Sequence, residues 1–328
     1  MISRNIIINI AREVGFDLVG VVAAQHLEEE HNRFNEWLLA GNGASLDYLS
    51  RNIEKRFDAQ LLVEGSRSVI VCAISYLSPY SRGYSDDCHA KVASYALAPD
   101  YHVTIKAMLT TLAERLKEHY PTLRYRAFTD SAPIAEKSHA ARAGLGWIGR
   151  NSLLVTPTHG SMIHLGELVI DEVVDEYDTP IVAVGCGECH RCVDACPNGA
   201  IRENRTIDAR RCISCRTIER ESDGDTMSLD GWIFGCDACQ TVCPYNMKAP
   251  MHTNPMFDPL YDPTVLDSEA WLSMTEEEFQ ALGGRTAMTR AGLERIQRNV
   301  LRNSVPKLVN RNEVVACNYE QTKRQIDR

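Results

Sequence analysis

Two runs of cysteines are the residues whose types and spacing most clearly predict chemistry. The run that begins at Cys186 reads C-x2-C-x2-C-x3-C-P, and the run that begins at Cys236 reads C-x2-C-x3-C-P. Short spacers of this kind let three thiolates converge on one face of a 4Fe–4S cube, while the fourth cysteine reaches a second cluster. The second run lacks the first thiolate of the pattern, which Cys212 or Cys215 could supply. The spacing therefore predicts two 4Fe–4S clusters with crossed fourth ligands.

The prediction gives each cluster four thiolate ligands. The first cluster has Cys186, Cys189, Cys192 and Cys243, and the second has Cys196, Cys212, Cys236 and Cys239. A zinc site is the main alternative, but it prefers paired C-x2-C knuckles and does not require a C-x3-C-P ending on both runs. Disulfide bonds are the other alternative, and they require an oxidising compartment.

The amino-terminal residues show no secretion signal and no membrane span. Their only apolar run is Ile6–Ile8, with Arg12 and Glu13 close behind, and no twin-arginine pair precedes it. We therefore expect a cytoplasmic, redox-active protein without a membrane partner, in which the cysteines bind iron.

The bulk properties indicate more than an electron carrier. The chain has 328 residues, 44% of them hydrophobic, and a formal net charge of −9. This size suits one large or two ordinary domains. An acidic total excludes a protein coated in positive charge but not a local patch that binds a polyanion. Because most of the chain lies outside the cysteine runs, we expect the clusters to feed electrons to chemistry in the larger part.

Helices and strands alternate along the first half of the chain. Hydrophobic patterning predicts helices over 2–15, 26–39, 103–120 and 134–143, and strands over 17–24, 68–76, 123–128, 152–156 and 161–170. The third helix is expected to bury Val103, Ala107, Leu109, Leu112 and Leu116. This alternation predicts an α/β fold.

Three segments are expected in the whole chain. Residues 1–178 form the α/β domain, 179–250 a ferredoxin-like two-cluster module, and 251–328 a short helical region with helices over 271–282 and 288–302.

A glycine motif, Gly144-Leu-Gly146-Trp-Ile-Gly149, matches the dinucleotide fingerprint G-x-G-x-x-G. That fingerprint needs a strand before it and a helix after it, so that the helix amino terminus holds the pyrophosphate. Here a helix enters and a strand leaves. We therefore expect these glycines to permit a tight turn or a close approach to a large flat ligand.

Two aspartates occupy positions that allow either a structural or a chemical role. Asp100-Tyr-His102 resembles the start of a corrinoid D-x-H-x-x-G motif, but Ile105 replaces its glycine, so Asp100 is expected to cap a helix. Asp130 ends a predicted strand, and Asp130 or Ser131 could cap the next helix. Alternatively, Asp130 projects from the strand end into a ligand site. The residues alone favour neither reading of Asp130.

A basic stripe lies near the carboxyl end of the sequence. Between residues 285 and 311 there are seven basic residues and one acidic residue, Glu294. Such a stripe is either a solvated face or a surface for a phosphate backbone.

Several ordered motifs, taken with the cysteine runs, carry a family resemblance. These are Asn52-Ile-Glu-Lys-Arg56, Asp100-Tyr-His102, Phe128-Thr-Asp130-Ser, Ala143-Gly-Leu-Gly-Trp147, Gly166-Glu-Leu, Cys212-Ile-Ser214 and Phe234-Gly-Cys236-Asp-Ala-Cys239. The set closely resembles the epoxyqueuosine reductases, cobalamin- and iron–sulfur-dependent oxidoreductases of queuosine biosynthesis in tRNA.

The resemblance implies a reductive-dehalogenase-like α/β fold that binds cobalamin base-off and reduces epoxyqueuosine at the tRNA wobble position. It implies that Asp130 is the proton donor. It also implies corrinoid contacts by Arg56, Asp130, Leu154, Leu165, Ser214 and Ala238. For a tRNA substrate, Arg290 and Arg298 of the basic stripe are expected to contact phosphates, with Arg216 and Arg220 near the clusters as the alternative surface. We further expect a monomer served by a low-potential electron donor.

Two features depart from the family pattern. Most members have an aromatic residue where this chain has Cys215. Members also commonly end in a helical-repeat domain that binds tRNA, whereas this sequence stops soon after Arg311 and has room for only one such helix pair. The competing function is a corrinoid reductive dehalogenase acting on a small molecule. Such enzymes usually carry the twin-arginine signal that is missing here. A simple electron carrier would leave the α/β part without a purpose.

Overall fold

The computed structural model of the chain describes residues 1–182, 185–219 and 227–304. Its helices and strands are, in order, α1 (Arg4–Val14), β1 (Leu18–Ala23), α2 (Glu28–Leu39), α3 (Ile53–Phe57), α4 (Ala59–Leu62), β2 (Ser68–Ser75), β3 (Lys91–Val92), α5 (Tyr101–His119), β4 (Tyr125–Phe128), α6 (Glu136–Arg142), β5 (Trp147–Ile148), β6 (Leu154–Val155), β7 (Ile163–Ile170), α7 (Arg191–Asp194), α8 (Ile213–Ile218), β8 (Trp232–Phe234), α9 (Ala238–Thr241), α10 (Pro244–Lys248), α11 (Ser268–Ser273), α12 (Glu276–Gly283) and α13 (Gly292–Ser304). Short 3-10 helices occupy Asp47–Ser50, Pro79–Arg82, Ser94–Ala96, Pro255–Phe257, Pro263–Val265 and Ala287–Arg290.

A four-stranded sheet in the order β1-β2-β7-β4 forms the centre of the amino-terminal part. Each neighbouring pair of strands is antiparallel. The predicted mixture of helices and strands is confirmed, but the strands do not pair in parallel as consecutive strand–helix–strand units would. All of β2 is buried, because helices cover both faces of the sheet.

Alternate residues of the strands face two different helical layers. Ile70, Cys72 and Leu168 pack in one core with α1 and α5, whereas Val69, Val71 and neighbouring strand residues pack in another core with α6. This division follows from the two-residue period of a strand.

Gly166 explains how closely α5 approaches the sheet. A Cβ at this position would lie 2.4 Å from Cγ2 of Ile105, so only glycine lets α5 pack directly on β7. The position of α5 matters because its first turn carries Tyr101 and His102.

The buried face of α5 differs from the prediction. Val103 is 70% exposed, and Ala107 is also exposed. The helix instead buries Ile105, Met108, Leu109, Leu112, Ala113 and Leu116. The predicted period was correct from Leu109 onward, but its first turn was assigned to the wrong side of the helix.

The glycine motif lies between α6 and β5, in the order that excludes a dinucleotide fingerprint. A Cβ on Gly146 would lie 2.1 Å from the carbonyl oxygen of Val155. The glycine therefore permits the β5 and β6 backbones to approach each other, since a side chain would collide there.

The carboxyl-terminal helices begin at positions that differ from the predicted ones. The predicted helix over 271–282 is two helices, because Thr275 and Glu278 form a capping box that starts α12. The predicted helix over 288–302 is a 3-10 turn followed by α13, whose first residue, Gly292, has φ 74°. The remainder of the predicted carboxyl-terminal segment, 305–328, lies outside the described residues.

A third core joins all three predicted segments. Val92 and Leu97 from the first segment pack with Phe234 from the cysteine-bearing segment and with Trp271 and Ile296 from the last. Strands β3 and β8 also pair in parallel across the first two segments. Within the described ranges, no helix has the combination of length and apolar composition that a membrane crossing needs.

Candidate active site

A cavity of about 200 Å³ lies where these segments meet. Tyr101, His102 and Asp130 line it from the amino-terminal part, Glu219 lines it beyond the first cysteine run, and Arg290 lines it from the carboxyl-terminal part. The cavity therefore brings the predicted proton donor together with residues from distant parts of the sequence.

Asp130 is not a helix cap. Helix α6 begins at Glu136, and its N-cap residue is Ala135, whose side chain makes no capping hydrogen bond. Asp130 itself has φ 53°, a left-handed conformation that is uncommon for residues other than glycine. Its side chain is 58% exposed and faces the cavity. The structure thus favours the chemical interpretation of Asp130 over the structural one.

Two side chains from the start of α5 bind the Asp130 carboxylate. The Tyr101 hydroxyl donates a hydrogen bond to Oδ2 of Asp130, and His102 Nε2 lies 3.3 Å from the same oxygen. His102 Nδ1 lies 2.7 Å from Oδ1 of Asp100, which also caps α5 by accepting from the His102 backbone N–H. The predicted capping role of Asp100 is confirmed, and the same carboxylate orients the His102 ring.

These contacts determine which group holds a proton. The hydrogen bond from His102 lowers the pKa of Asp130, with a smaller contribution from Tyr101, although burial acts in the opposite direction. In this structure the net shift of the Asp130 pKa is therefore downward. The same hydrogen bond to Asp130, helped by Asp100, raises the pKa of His102. The proton of the pair accordingly lies on His102 before a substrate binds.

A neutral histidine supports the Tyr101 ring from behind. His164 of β7 stacks on Tyr101 with ring centroids 4.4 Å apart and an interplanar angle of 10°. Burial lowers the pKa of His164 to about 3, so its imidazole stays neutral. Tyr101 also stacks on His102 with ring centroids 4.1 Å apart, so it contacts both imidazole rings.

The first four cluster cysteines meet around one small cavity. Its lining includes Cys186, Cys189, Cys192 and Cys243, and the thiolates of the other three are charge neighbours that raise the pKa of Cys192 after burial. This is the predicted ligand set of the first cluster, including the crossed ligand from the second run.

The cysteines of the second group also lie close to one another. The pKa of Cys239 is raised by burial and then by the proximity of Cys212, Cys192 and Cys196 among other groups, and Cys236 has Cys239 and Cys212 as charge neighbours. Cys215 is a charge neighbour of Tyr48 in the cavity wall. None of the cysteines in the described ranges forms a disulfide.

The predicted corrinoid contacts lie in several elements. Arg56 is in α3, Leu154 in β6, Leu165 in β7, Ser214 in α8 and Ala238 in α9. Among the predicted corrinoid residues, Asp130 lines the cavity described above.

Arg56 is suited to a polar ligand. Its guanidinium lies over the Phe34 ring at 5.6 Å. Tyr48 and Asp130 are close enough to interact electrostatically with it. Its buried Nε finds no acceptor among the described residues. An amide-bearing ligand such as a corrinoid would satisfy this N–H, so the residues present fit that group.

The predicted tRNA arginines differ in accessibility. Arg290 forms an ion pair with Glu219 at 2.6 Å in the cavity wall, and Arg298 pairs with Glu294 at 3.1 Å on α13. Arg216 is only 2% exposed and donates to the carbonyl of Arg210. The burial of Arg216 argues against its predicted contact with tRNA, because a phosphate could not reach its guanidinium. Arg220 lies outside the described residues.

Several residues of the site were not assigned to it from the sequence. Tyr48, His164 and Glu219 contact or line it because the fold brings distant segments together, whereas Glu136 lies only six residues after Asp130. The one local signal was Glu136, a carboxylate at the start of the helix that follows Asp130.

Known proteins match the chain over most of its length. The family model described as "4Fe-4S double cluster binding domain" matches residues 185–246, and "Epoxyqueuosine reductase QueG, DUF1730" matches residues 56–131. The epoxyqueuosine reductase of Cyclobacterium marinum is 40% identical over 293 residues, which cover 88% of this chain and 93% of that protein.

Solved structures agree with these sequence matches. A crystal structure of an epoxyqueuosine reductase with a tRNA-Tyr epoxyqueuosine-modified stem loop is 27% identical, with a TM-score of 0.81 over 92% of this chain and 80% of that one. An epoxyqueuosine reductase from Bacillus subtilis, solved with its catalytic loop swung out of the active site, matches with the same identity, coverage and TM-score. Since a 40% identical relative is matched over nearly the whole length of both proteins, the chain belongs to the epoxyqueuosine reductase family.

Proposed function

We propose that this protein reduces epoxyqueuosine to queuosine at the wobble position of tRNA, the last step of queuosine biosynthesis. The reaction converts an epoxide to an alkene and releases its oxygen as water, which consumes two electrons and two protons. The observation that carries the proposal is the position of Asp130, which faces the cavity and is hydrogen-bonded to Tyr101 and placed beside His102. The family membership supports the substrate.

The chain's own residues supply a proton where the C–O bond breaks. The departing oxygen would leave as an alkoxide unless an acid protonated it, and a positioned acid typically contributes about 10² to 10⁴ in rate. Asp130 lines the cavity, and His102 holds the proton that can pass through the Asp130 carboxylate. Tyr101 donates to that carboxylate and keeps it directed into the cavity.

The eight cysteines would hold the two 4Fe–4S clusters as predicted. The first cluster would be bound by Cys186, Cys189, Cys192 and Cys243, and the second cluster by Cys196, Cys212, Cys236 and Cys239. Cys192 and Cys239 of the two sets are charge neighbours, which supports electron transfer between the clusters. A low-potential carrier would donate electrons to them.

Cobalamin, bound base-off, is the proposed cofactor at the substrate. The residues that would hold it are Arg56, Asp130, Leu154, Leu165, Ser214 and Ala238. When bound, it would supply low-valent cobalt, which delivers electrons at an epoxide carbon. The buried Nε of Arg56, without an acceptor among the described residues, supports a polar ligand there. We further propose a cytoplasmic monomer with domain boundaries near residues 178 and 250.

Turnover by the anaerobically purified, cluster-loaded protein tests the proposal. Incubation with cobalamin, a low-potential reductant and tRNA that carries epoxyqueuosine should yield queuosine, as measured by mass spectrometry of digested nucleosides. Omission of cobalamin should abolish the product, and tRNA that already carries queuosine should remain unchanged. Failure to convert epoxyqueuosine with both clusters and cobalamin bound would refute the proposed function.

A further inference from the structure

The loop that carries Asp130 has few hydrogen bonds of its own. It connects the end of β4 at Phe128 to the start of α6 at Glu136. Thr129 Oγ1 donates to the carbonyl of Leu165 at 2.9 Å and fixes the beginning of the loop to β7. Beyond Thr129, the bonds within the loop are tight local turns, such as Ile134 N–H to the carbonyl of Ala132. The conformation at Asp130 therefore needs support from outside these turns.

The backbone of Asp130 is also in an unfavourable conformation. Its φ of 53° lies in the left-handed region, where a Cβ crowds the following carbonyl. A residue persists in that region only when its surroundings determine it. The hydroxyl of Tyr101 and the ring of His102 hold the Asp130 side chain, so the remaining question is what holds the backbone.

Glu136 holds it. Oε1 of Glu136 accepts a hydrogen bond from the backbone N–H of Asp130 at 2.8 Å. Glu136 is the first residue of α6, and the same helix is anchored nearby by Lys137 Nζ, which donates to the carbonyl of Ser152 at 2.7 Å. The carboxylate thus connects the strained residue to a fixed helix.

This arrangement places Glu136 among other acids, which makes a negative charge on its carboxyl group unfavourable. Burial, Glu167 and Asp130 raise the pKa of Glu136 in that order, while the hydrogen bond from the Asp130 backbone and then Lys137 lower it. Glu167 is itself fully buried and bound to His139 Nδ1 at 2.9 Å. His139 lies one helical turn after Glu136, so both face the sheet. An apolar residue would be less costly here, yet it could not accept a hydrogen bond from the Asp130 N–H.

We propose that Glu136 is a positioning residue, a latch whose carboxylate holds the Asp130 loop in the closed state required for proton delivery. The proposal rests on the proposed reduction for its kinetic consequences, but the latch itself is a property of the loop. A related enzyme from Bacillus subtilis has been solved with its catalytic loop swung out of the active site. The corresponding loop in this chain would leave the cavity when the hydrogen bond that Glu136 accepts from the Asp130 N–H is lost.

Three substitutions separate the latch from other roles of Glu136. Glu136→Ala removes the acceptor, Glu136→Asp shortens it by one methylene, and Glu136→Gln keeps an oxygen acceptor but cannot carry a proton. A matched control is Glu278→Ala, because Oε2 of Glu278 accepts from the Thr275 backbone N–H at 2.8 Å on α12. That bond has the same chemistry and lies in the helix cap of another element.

Hydrogen exchange of the cluster-loaded protein measures the latch without turnover. Overlapping peptides over residues 128–135 should exchange about tenfold faster in Glu136→Ala and Glu136→Asp, because the Asp130 amide opens more often. Glu136→Gln should exchange like wild type, and Glu278→Ala should leave this segment unchanged. Melting temperature and iron content should stay near wild type in all four variants. Wild-type exchange of the segment in both Glu136→Ala and Glu136→Asp would overturn the proposal.

Kinetics then distinguish positioning from proton transfer. Glu136→Ala should lower kcat by about 10- to 100-fold, with KM for tRNA within about twofold, because misplacing a catalytic group affects the reacting geometry rather than binding. Glu136→Gln should keep kcat within about threefold of wild type and an unchanged pH profile. If Glu136→Gln lost as much turnover as Glu136→Ala while its loop stayed protected, Glu136 would act through its proton, and the latch would be rejected.

The exchange and turnover results have separate consequences. An inactive wild-type protein would refute the proposed function but would not alter the exchange comparison. Conversely, an active wild type with an Asp130 segment that is insensitive to Glu136 would reject the latch and retain the function. If Glu136→Ala failed to fold, Glu136→Asp would decide the question, since it keeps the charge and loses the reach.

Discussion

At the scale of single residues, the site depends on which group of the Asp130–His102 pair holds the proton. His102 lies between two carboxylates, Asp130 at 3.3 Å and Asp100 at 2.7 Å. This environment raises the pKa of His102 and lowers that of Asp130. The pair therefore carries one proton below the raised pKa of His102, and we propose that Asp130 passes this proton to the substrate oxygen.

Replacing Asp130 by asparagine tests that path. Asn tolerates the left-handed backbone and has nearly the same size as Asp, but its amide cannot pass a proton. We expect Asp130→Asn to fold, to retain iron and cobalamin, and to lose about 10² to 10⁴ in turnover. Single-turnover conversion of epoxyqueuosine-containing tRNA would measure this loss. Turnover near the wild-type rate would show that Tyr101 or His102 donates directly.

Replacing Asp100 by asparagine tests whether His102 holds the proton. Asn is an equally good N-cap, so α5 should persist, but the charge that helps raise the pKa of His102 is lost. The protonated pair is present below that pKa and disappears as pH rises through it. The alkaline limb of kcat/KM should therefore move to lower pH in Asp100→Asn, since kcat/KM reports groups of the free enzyme.

A second cap provides the control for Asp100→Asn. Asp267 caps α11 by accepting from Ala270, so Asp267→Asn makes the same change at the start of another helix and should leave the pH profile unchanged. If the limb kept its position in Asp100→Asn, His102 would not be the group that loses activity.

The sequence predicted some of these residues because their signals are local. The cluster cysteines follow one another at fixed spacing, so their role needs no knowledge of the fold. Asp130 was ambiguous because strand ends and helix caps favour the same residue types. His164 and Glu219 could not be assigned, because they meet Asp130 only through packing between distant segments.

At the scale of elements, α5 and the loop after β4 position the site. The capping role of Asp100 was predictable from its type and place, whereas the buried face of α5 was not, because Val103 and Ala107 belong to its exposed first turns. Residues near a helix start can be apolar without facing a core, and tertiary packing decides between them. The break before α12 had a local signal, the capping box of Thr275 and Glu278.

The loops around the second cluster allow a test of the missing ligand. Cys212 precedes α8 as its N-cap residue and is a charge neighbour of Cys196, Cys236 and Cys239, whereas Cys215 neighbours Tyr48. We therefore expect about eight irons per wild-type chain, an unchanged iron content in Cys215→Ala, and loss of about half the iron in Cys212→Ala.

Iron and sulfide analysis with electron paramagnetic resonance would measure this difference, and each cysteine serves as the control for the other. Iron loss in Cys215→Ala alone would transfer the ligand assignment to Cys215. Tightly bound zinc in place of iron after anaerobic preparation would contradict the cluster assignment as a whole.

At the scale of the whole molecule, the site exists because three segments of the chain share one core. Phe234 of the cysteine-bearing part both packs in that core and lines the cavity, and Arg290 reaches the cavity from the carboxyl-terminal part. Local patterning predicted the three segments, but it could not predict that they pack together, since long-range contacts leave no periodic signal in a sequence. The antiparallel pairing of the strands could not be predicted for the same reason.

Binding of a whole tRNA must overcome the net charge of −9, which repels a polyanion at a distance. Local cations must therefore contact the phosphates. Arg298 is 47% exposed on α13 with Glu294 as its partner, and Arg290 is paired with Glu219 at the cavity wall. Both ion pairs could exchange a carboxylate for a phosphate, which surface ion pairs permit because they contribute little stability.

The double variant Arg290→Ala with Arg298→Ala should therefore bind tRNA more weakly and with a smaller dependence on salt. Each phosphate contact contributes roughly 0.7 to 0.9 to the slope of log affinity against log salt, so the slope should fall by about one to two. Arg124→Ala is the control, since Arg124 is also exposed and paired with one carboxylate, Asp171, but it precedes β4 at the end opposite Asp130. An unchanged slope in the double variant, measured by equilibrium binding across a salt series, would show that other basic residues bind the tRNA backbone.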